Sequence, residues 1–359
     1  MELSRAYYRC AGCGTGHFPL DDALGLSGRY SPGVLPLVAL AGTEEPFRVA
    51  HDLLKRLAGL DVSASSCRRV TKDIGAELSE RHAAGRAVTP PSAAAWDFRL
   101  RDEHGRPTGD TVAYLGIDQF AVPTRGADGR VCWRMLSAAL LYDPAKRHSW
   151  YLADFDRHRL ADTLRHYACA AGFNRAATVV ALTDGGNGLE ALLAGHVSAA
   201  LVFVLDFWHA SQHLHEWAKL RFGRDSPEAA AWADERVRLL REQGGTALLA
   251  RLAQEELPAE AGEEVREGWR RLRGYFADNE HRTDYPAYRA RGWDIGSGPV
   301  EAECKVLAGR LKHAGMRWLE PGAEEVAGLR ALYHSGDGLW DAFWAQRSRR
   351  RHSSNSCTK

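Results

Sequence analysis

The chain has no apolar run long enough to cross a membrane: its longest strongly apolar stretch, residues 199–205, is far short of the roughly 18 to 20 residues a span needs. A soluble protein with no membrane partner is expected. The opening Met1-Glu-Leu-Ser-Arg5 also lacks the apolar segment of a secretory signal, which predicts a cytoplasmic protein. Seven cysteines, an odd number scattered along the chain, argue against a disulfide framework and for reduced thiols. A bias of charge is missing too. Lys and Arg total 47 and Asp and Glu 46, leaving +1, so net charge neither marks a nucleic-acid binder nor excludes one. What is present is core-forming material: 45% hydrophobic and 9% aromatic residues exclude a long disordered or collagen-like chain. At roughly 150 residues per domain, 359 residues predict two to three domains.

Charge is uneven along the chain. Residues 46–83 hold seven basic and five acidic side chains, 225–285 nine and fourteen, and 301–359 ten and seven. An acidic middle therefore cancels two basic ends. Residues 1–45 are punctuated by Gly and Pro and contain Cys10-Ala-Gly-Cys13. From Phe47, the offsets of Val49, Ala50, Leu53, Leu54 and Leu57 predict an amphipathic helix that Gly59 stops. Ser63 is placed to cap a second helix carrying Arg68, Arg69 and Lys72, with Val70 and Ile74 inward. This is the outline of a helix-turn-helix over 46–83, or of an ordinary helical hairpin. Residues 84–110 read as a linker.

Over 111–206 the periodicity becomes that of strands. Thr111–Val122, Val131–Tyr142 and Trp150–Phe155 predict an antiparallel meander. Strands at 177–183 and 200–205 then alternate with helices, which predicts an α/β fold with a mixed sheet covered by helices. Residues 207–290 read as all-helical, with Trp208, Trp217, Trp232 and Trp269 as core anchors. The last part, 291–340, holds a helix over 299–313 that starts after Gly296-Ser-Gly-Pro299; residues 341–359 read as a frayed basic tail around Arg347 to Arg351.

Three carboxylates stand at the ends of such elements. Asp118 in Leu-Gly-Ile-Asp118 and Asp184 in Leu-Thr-Asp184-Gly each end an apolar strand at a turn, and Glu301 opens the helix after the Gly-Ser-Gly-Pro turn. Gathered by a sheet, they would make a hard-oxygen cage suited to Mg²⁺ or Mn²⁺, able to activate water or a 3′-hydroxyl on a phosphodiester. Strand-end Asp residues also serve as simple turn formers. Glu303, two residues beyond Glu301, points elsewhere on a helix, so only one of the two can face a metal. Lys305, four residues on, either holds a scissile phosphate or pairs with Glu301. Asp206-x-x-His209 is read as supporting the site, with a lock on the strand-to-helix turn as the simplest role; His209 and His213 share a helical face and offer a weaker zinc reading. Cys10 and Cys13 with His17 make at most half of a zinc site, and Cys67 is too distant to assign. Arg317 and Trp318 offer a cation and a stacking plane to an unpaired base, or Trp318 belongs to the core.

The ordered motifs Tyr-Leu-Gly-Ile-Asp118, Leu-Thr-Asp184-Gly, Asp206-Phe-Trp-His209, Gly296-Ser-Gly-Pro-Val-Glu301 and Arg310-Leu-Lys312-His-Ala-Gly-Met-Arg317-Trp318 resemble a bacterial insertion-sequence transposase of the ISKra type, related to Mutator-like elements. The resemblance runs from the Cys10–Cys13 segment to about Leu339. It implies an RNase H-like catalytic core with Asp118, Asp184 and Glu301 as metal-binding catalytic residues. It also makes the helical block an insertion between Asp184 and Glu301. DNA contacts are expected from Arg68, Arg69, Lys72, Arg310, Lys312, Arg317 and Trp318. The implied partners are double-stranded DNA, as terminal inverted repeats and as target, and a second copy of the chain in a dimer or larger assembly. Such a protein would sit with the nucleoid. The rival readings are a DNA-binding protein without catalysis and an RNase H-like nuclease.

Overall fold

The computed structural model describes residues 4–354 apart from 25, 27–29, 91–94, 127, 187, 199 and 314, and without the side chains of 22, 23 and 349–354. Tyr8–Arg9 (β1) and Gly16–His17 (β2) pair as a small hairpin, followed by Pro19–Ala23 (α1). Three helices come next: Val34–Glu44 (α2), Phe47–Ala58 (α3) and Ala64–Ala83 (α4). Gly59 ends α3 at φ 67°, in the left-handed region that favours glycine, and the Ser63 hydroxyl caps α4 by accepting the Ser66 N–H.

The sheet begins with Arg99–Arg101 (β3) and continues through Pro107–Arg125 (β4), Val131–Tyr142 (β5) and Ser149–Asp154 (β6), each antiparallel to the strand before it. Helix Arg157–Ala171 (α5) leads to Thr178–Thr183 (β7), then helix Leu189–His196 (α6) leads to Val202–Leu205 (β8). β7 runs parallel to β4, and β8 parallel to β7. The order across the sheet is β6-β5-β4-β7-β8, with β3 on the start of β4. After β8 come Phe207–Phe222 (α7), Pro227–Ala253 (α8), Glu263–Asp278 (α9) and Tyr285–Ala290 (α10). Gly298–Leu311 (α11), Glu320–His334 (α12) and Leu339–Ser354 (α13) complete the chain. This is the mixed sheet flanked by helices that the strand and helix periods predict.

Alternation along β4 sends its residues to two cores. Ala113, Leu115 and Ile117 join a buried cluster with Val38, Ile74, Leu78, Leu164, Leu329 and Phe343. Val112 and Tyr114 join another with Phe207, Leu214, Phe276, Tyr285 and Val300. Trp217 lies against Trp232 and Trp269, at 4.6 and 4.4 Å between ring centroids, and anchors the helical block to the second face. Trp208 does not share that role: it is 64% exposed.

Three expectations about organisation change. The segment 84–110 is not a free linker, because Val88, Trp96, Phe98 and Leu100 are buried and Arg99–Arg101 pairs with β4. Trp96 packs 4.9 Å from Trp150, and its Nε1–H donates to Asp337 at 2.7 Å. Helices α2 to α4 likewise share the first core with the sheet, so 46–83 is no detached unit. The expected frayed tail is helical through Ser354: Phe343 is buried, and Arg347 donates to Glu77 at 2.7 Å. Residues 355–359 lie outside the described residues. No described helix is long and apolar enough to cross a membrane.

Candidate active site

The carboxylate ends of the parallel strands meet the start of α11 at a polar cavity of about 160 Å³, lined by Asp118, Asp184, Asp206, Trp208, His209, Gln212, Ser297 and Glu301 among others. Three distant stretches of sequence are thus brought to one place.

Asp118 does not end its strand. It lies inside β4, opposite Ala138 of β5, one residue past the last parallel pair, Ile117 with Thr183. β4 runs on to Arg125 because Val122 and Leu136 are buried under Leu311, Trp318 and Val326. Where β7 stops, one edge of β4 is opened, and there the Asp118 side chain finds space. Its Oδ1 accepts the Gln119 N–H at 2.6 Å, and its Oδ2 accepts the Cys304 thiol at 3.7 Å. Burial pushes its pKa above the usual carboxylate value; the Gln119 hydrogen bond opposes the shift and the charge of Asp184 adds to it.

Asp184 directly follows β7, and its Oδ1 accepts the Gly186 N–H at 3.2 Å. Beneath it lies Arg282, a residue that the pattern of motifs does not single out. It is 4% exposed and donates to Thr183 Oγ1 at 2.7 Å and to the Asp184 carbonyl at 3.2 Å. A lone arginine in a helical block carries no local signal of this bracing role.

Asp206 is a scaffold for the opposite wall. Its Oδ1 caps α7 by accepting the His209 N–H at 2.8 Å; the bond runs to the backbone and not to the imidazole. Its Oδ2 accepts the Ser297 N–H at 2.7 Å and the Ser297 hydroxyl. One buried carboxylate therefore ties β8 and α7 to the turn that starts α11. Gly116 completes the fit, since a Cβ there would lie 2.3 Å from Val300 Cγ2; glycine lets α11 sit directly on β4.

Glu301 then stands over the cavity with its side chain 63% exposed, paired with Lys305 at 2.9 Å. Of the two alternatives for Lys305, the ion pair is the one present. Glu303 turns the other way: it is fully buried, and among the described residues neither of its oxygens meets a donor within normal hydrogen-bond geometry. Burial holds its pKa well above the usual value.

The donor set suits a hard divalent cation. Asp118 and Asp184 repel each other across the cavity, and among the described residues no Lys or Arg lines it. The spacing is open: among the described residues no three Asp, Glu, His or Cys side chains are gathered closely enough to ring an ion. Asp118 and Asp184 are the residues that would hold one, joined by Glu301 once released from Lys305.

The expected DNA contacts divide. Arg68 and Arg69 on α4, and Lys312 and Arg317 beyond α11, are exposed. Lys72 is paired with Glu325 at 3.5 Å. Arg310 and Trp318 are corrected outright, being 0% and 7% exposed. The Arg310 guanidinium lies 5.0 Å from the ring centroids of both Phe47 and Trp318 and donates to the Gly42 carbonyl at 3.1 Å. Trp318 donates to the Leu311 carbonyl at 3.0 Å, while its backbone bonds to Pro123 and Arg125 of β4. Both are core because the segment after α11 adds to the edge of β4 and closes over Val122.

Cys10 and Cys13 are exposed at the tip of the β1–β2 hairpin. Hydrogen bonding to Thr15 lowers the Cys13 thiol to about 7. His209 and His213 meet edge-on at 4.9 Å, and burial lowers the pKa of His213. Neither pair has a third ligand among the described residues. No family model and no curated protein matches the chain.

Proposed function

We propose that the chain is a DNA transposase with an RNase H-like core, which binds the terminal inverted repeats of its element and cuts and rejoins DNA strands with Mg²⁺ or Mn²⁺. The observation that carries this reading is the convergence of Asp118, Asp184 and Glu301 on one cavity. The sheet supports it: a three-stranded antiparallel meander extended by two parallel strands on the free side of β4 is the frame an RNase H-like core requires.

A bound divalent ion would supply charge neutralisation and an activated water or 3′-hydroxyl. The chain's own part is to hold carboxylate oxygens at the sheet edge. Arg282 braces the Asp184 backbone, and Asp206 fixes the Ser297 turn so that Glu301 overhangs the cavity. Lys305 sits one turn along α11, where releasing Glu301 frees its ammonium for a phosphate oxygen. Helices α3 and α4, with Arg68 and Arg69 outward, are the helix-turn-helix reader in this account, and two copies would act together on two ends. The Cys10–Cys13 hairpin is a half-site at which zinc would need ligands from elsewhere.

The second reading is an RNase H-like nuclease, favoured by the packing of α2 to α4 into the sheet's own core rather than as a separate reader. One experiment separates the two. The protein is incubated with Mg²⁺ and end-labelled DNA from the flanks of its own gene, and the nicks are mapped. The transposase reading expects nicks confined to inverted-repeat ends and lost in Asp118→Asn. Nicks at random sequence favour the nuclease; equal cutting by the variant overturns both.

A further inference from the structure

Trp208 is a large aromatic side chain left in water at the rim of a polar cavity. It is 64% exposed, whereas its neighbour Phe207 is 2% exposed and packs in the second core. The indole is nonetheless held. Phe207 meets it edge-on at 5.3 Å, and the backbone of Gly296 lies flush against its edge, where a Cβ would stand 2.6 Å from Cδ1. One helical turn on, Gln212 lines the same cavity, and its amide has no hydrogen-bond partner among the described residues. An aromatic plane and a free amide at i and i+4 project from one face of α7.

The chemistry of this rim differs from that of the cavity floor. The floor is carboxylate and repels phosphate. On its α7 side, at Trp208 and Gln212, the rim is neutral, with a ring face for stacking and an amide that both donates and accepts. A nucleobase matches both groups, since every base has a π-face and a hydrogen-bonding edge. We infer that Trp208 and Gln212 form a nucleobase subsite, which stacks an unpaired base next to the phosphate presented to Asp118 and Asp184. The stacking role expected of Trp318 thus passes to Trp208. The subsite rests on the strand-cutting reading for its place in a reaction, but its ligand chemistry is testable without cutting.

The test is fluorescence anisotropy of the full-length protein with labelled 12-nucleotide oligothymidylate, compared with an abasic strand of equal length and charge. The wild type is expected to prefer the strand with bases by about tenfold or more. Trp208→Ala should lose about 5- to 100-fold in affinity for that strand and nothing for the abasic one. Trp208→Phe should keep most of the preference. If Trp208→Ala binds both strands as the wild type does, or weakens equally on both, the subsite is overturned. Mapped nicking in gene-flank DNA separates the two ideas. If nicking stands but the base preference ignores Trp208, the subsite alone falls. If the preference depends on Trp208 but no Mg²⁺-dependent nick forms, the strand-cutting reading falls and the subsite stands as a single-strand binding site.

Discussion

At the N-terminal end of α11, Glu301 stands mostly in solvent over a cavity that holds three other carboxylates; at the C-terminal end, Arg310 is sealed between two aromatic rings. Both belong to one helix, and each comes from its own motif in the sequence. The acid is kept at the surface by hydrogen bonds made elsewhere, from Asp206 to the Ser297 turn. The arginine is itself part of the packing: burial lowers its pKa to about 10, with the charge of nearby Arg330 acting in the same direction. One helix thus divides into a site and the scaffold that holds it.

Substitution should divide it in the same way. The largest effect is expected from Glu301→Gln, which should lower nicking by at least about 100-fold while leaving the thermal midpoint within a degree or two, because an exposed pair with Lys305 adds little stability. A drop in midpoint without loss of cutting would reverse the assignment of the two ends. Arg310→Ala should do the opposite and cost about 3 kcal/mol in chemical denaturation, as a fully buried side chain is replaced by a void. Arg310→Met, which keeps the apolar volume, should cost less than half as much. Asp206→Ala lies between the two: the lost cap and the freed Ser297 turn should cost about 2 kcal/mol, and nicking should fall as well. Asp206→Asn should recover most of the stability.

Per pH unit, the smallest effect is that of acidity. His82 on α4 accepts or donates a hydrogen bond with Tyr167 at 3.0 Å, and burial, then the charges of Arg81 and Arg159, lower its pKa to about 3. The unfolded chain takes up this proton near pH 6.5, whereas the folded chain resists it, so stability should fall as pH drops below 6.5 and level off near 3. The slope from this group is at most about 1.4 kcal/mol per pH unit. Denaturation midpoints at successive pH values should be flatter for His82→Gln; identical slopes would remove His82 from the account.

Much of this was legible in the sequence. Strand-like runs, the last two continuously apolar, located β4 to β8, and the Gly-Ser-Gly-Pro turn marked the start of α11 within a residue. Asp118 and Asp184 were recognisable because a carboxylate beside an apolar strand is conspicuous, and Glu301 because it opens a helix after the Gly-Ser-Gly-Pro turn. Orientation was not legible. Basic residues near the motif were read as facing DNA, yet Arg310 turns inward, since α11 lies across β4 and the following segment closes over it. Conversely, Trp208 was read as core because most tryptophans in a helical block are; only the three-dimensional turn at Gly296 leaves it at the cavity rim. Nor did Ala- and Pro-rich composition over 84–110 reveal that Trp96 and Phe98 close the first core.

The central claim is that Asp118, Asp184 and Glu301 at the cavity, and not the sealed Glu303, hold a divalent cation. Titration of the protein with Mn²⁺, read by the loss of the free-ion electron paramagnetic resonance signal, tests it directly in the wild type, Asp118→Asn, Glu301→Gln and Glu303→Gln. The account predicts binding by the wild type and Glu303→Gln alike, at least about tenfold weaker binding by Glu301→Gln, and weaker still by Asp118→Asn. Mn²⁺ binding that survives Asp118→Asn unchanged, or that is lost only in Glu303→Gln, would contradict it.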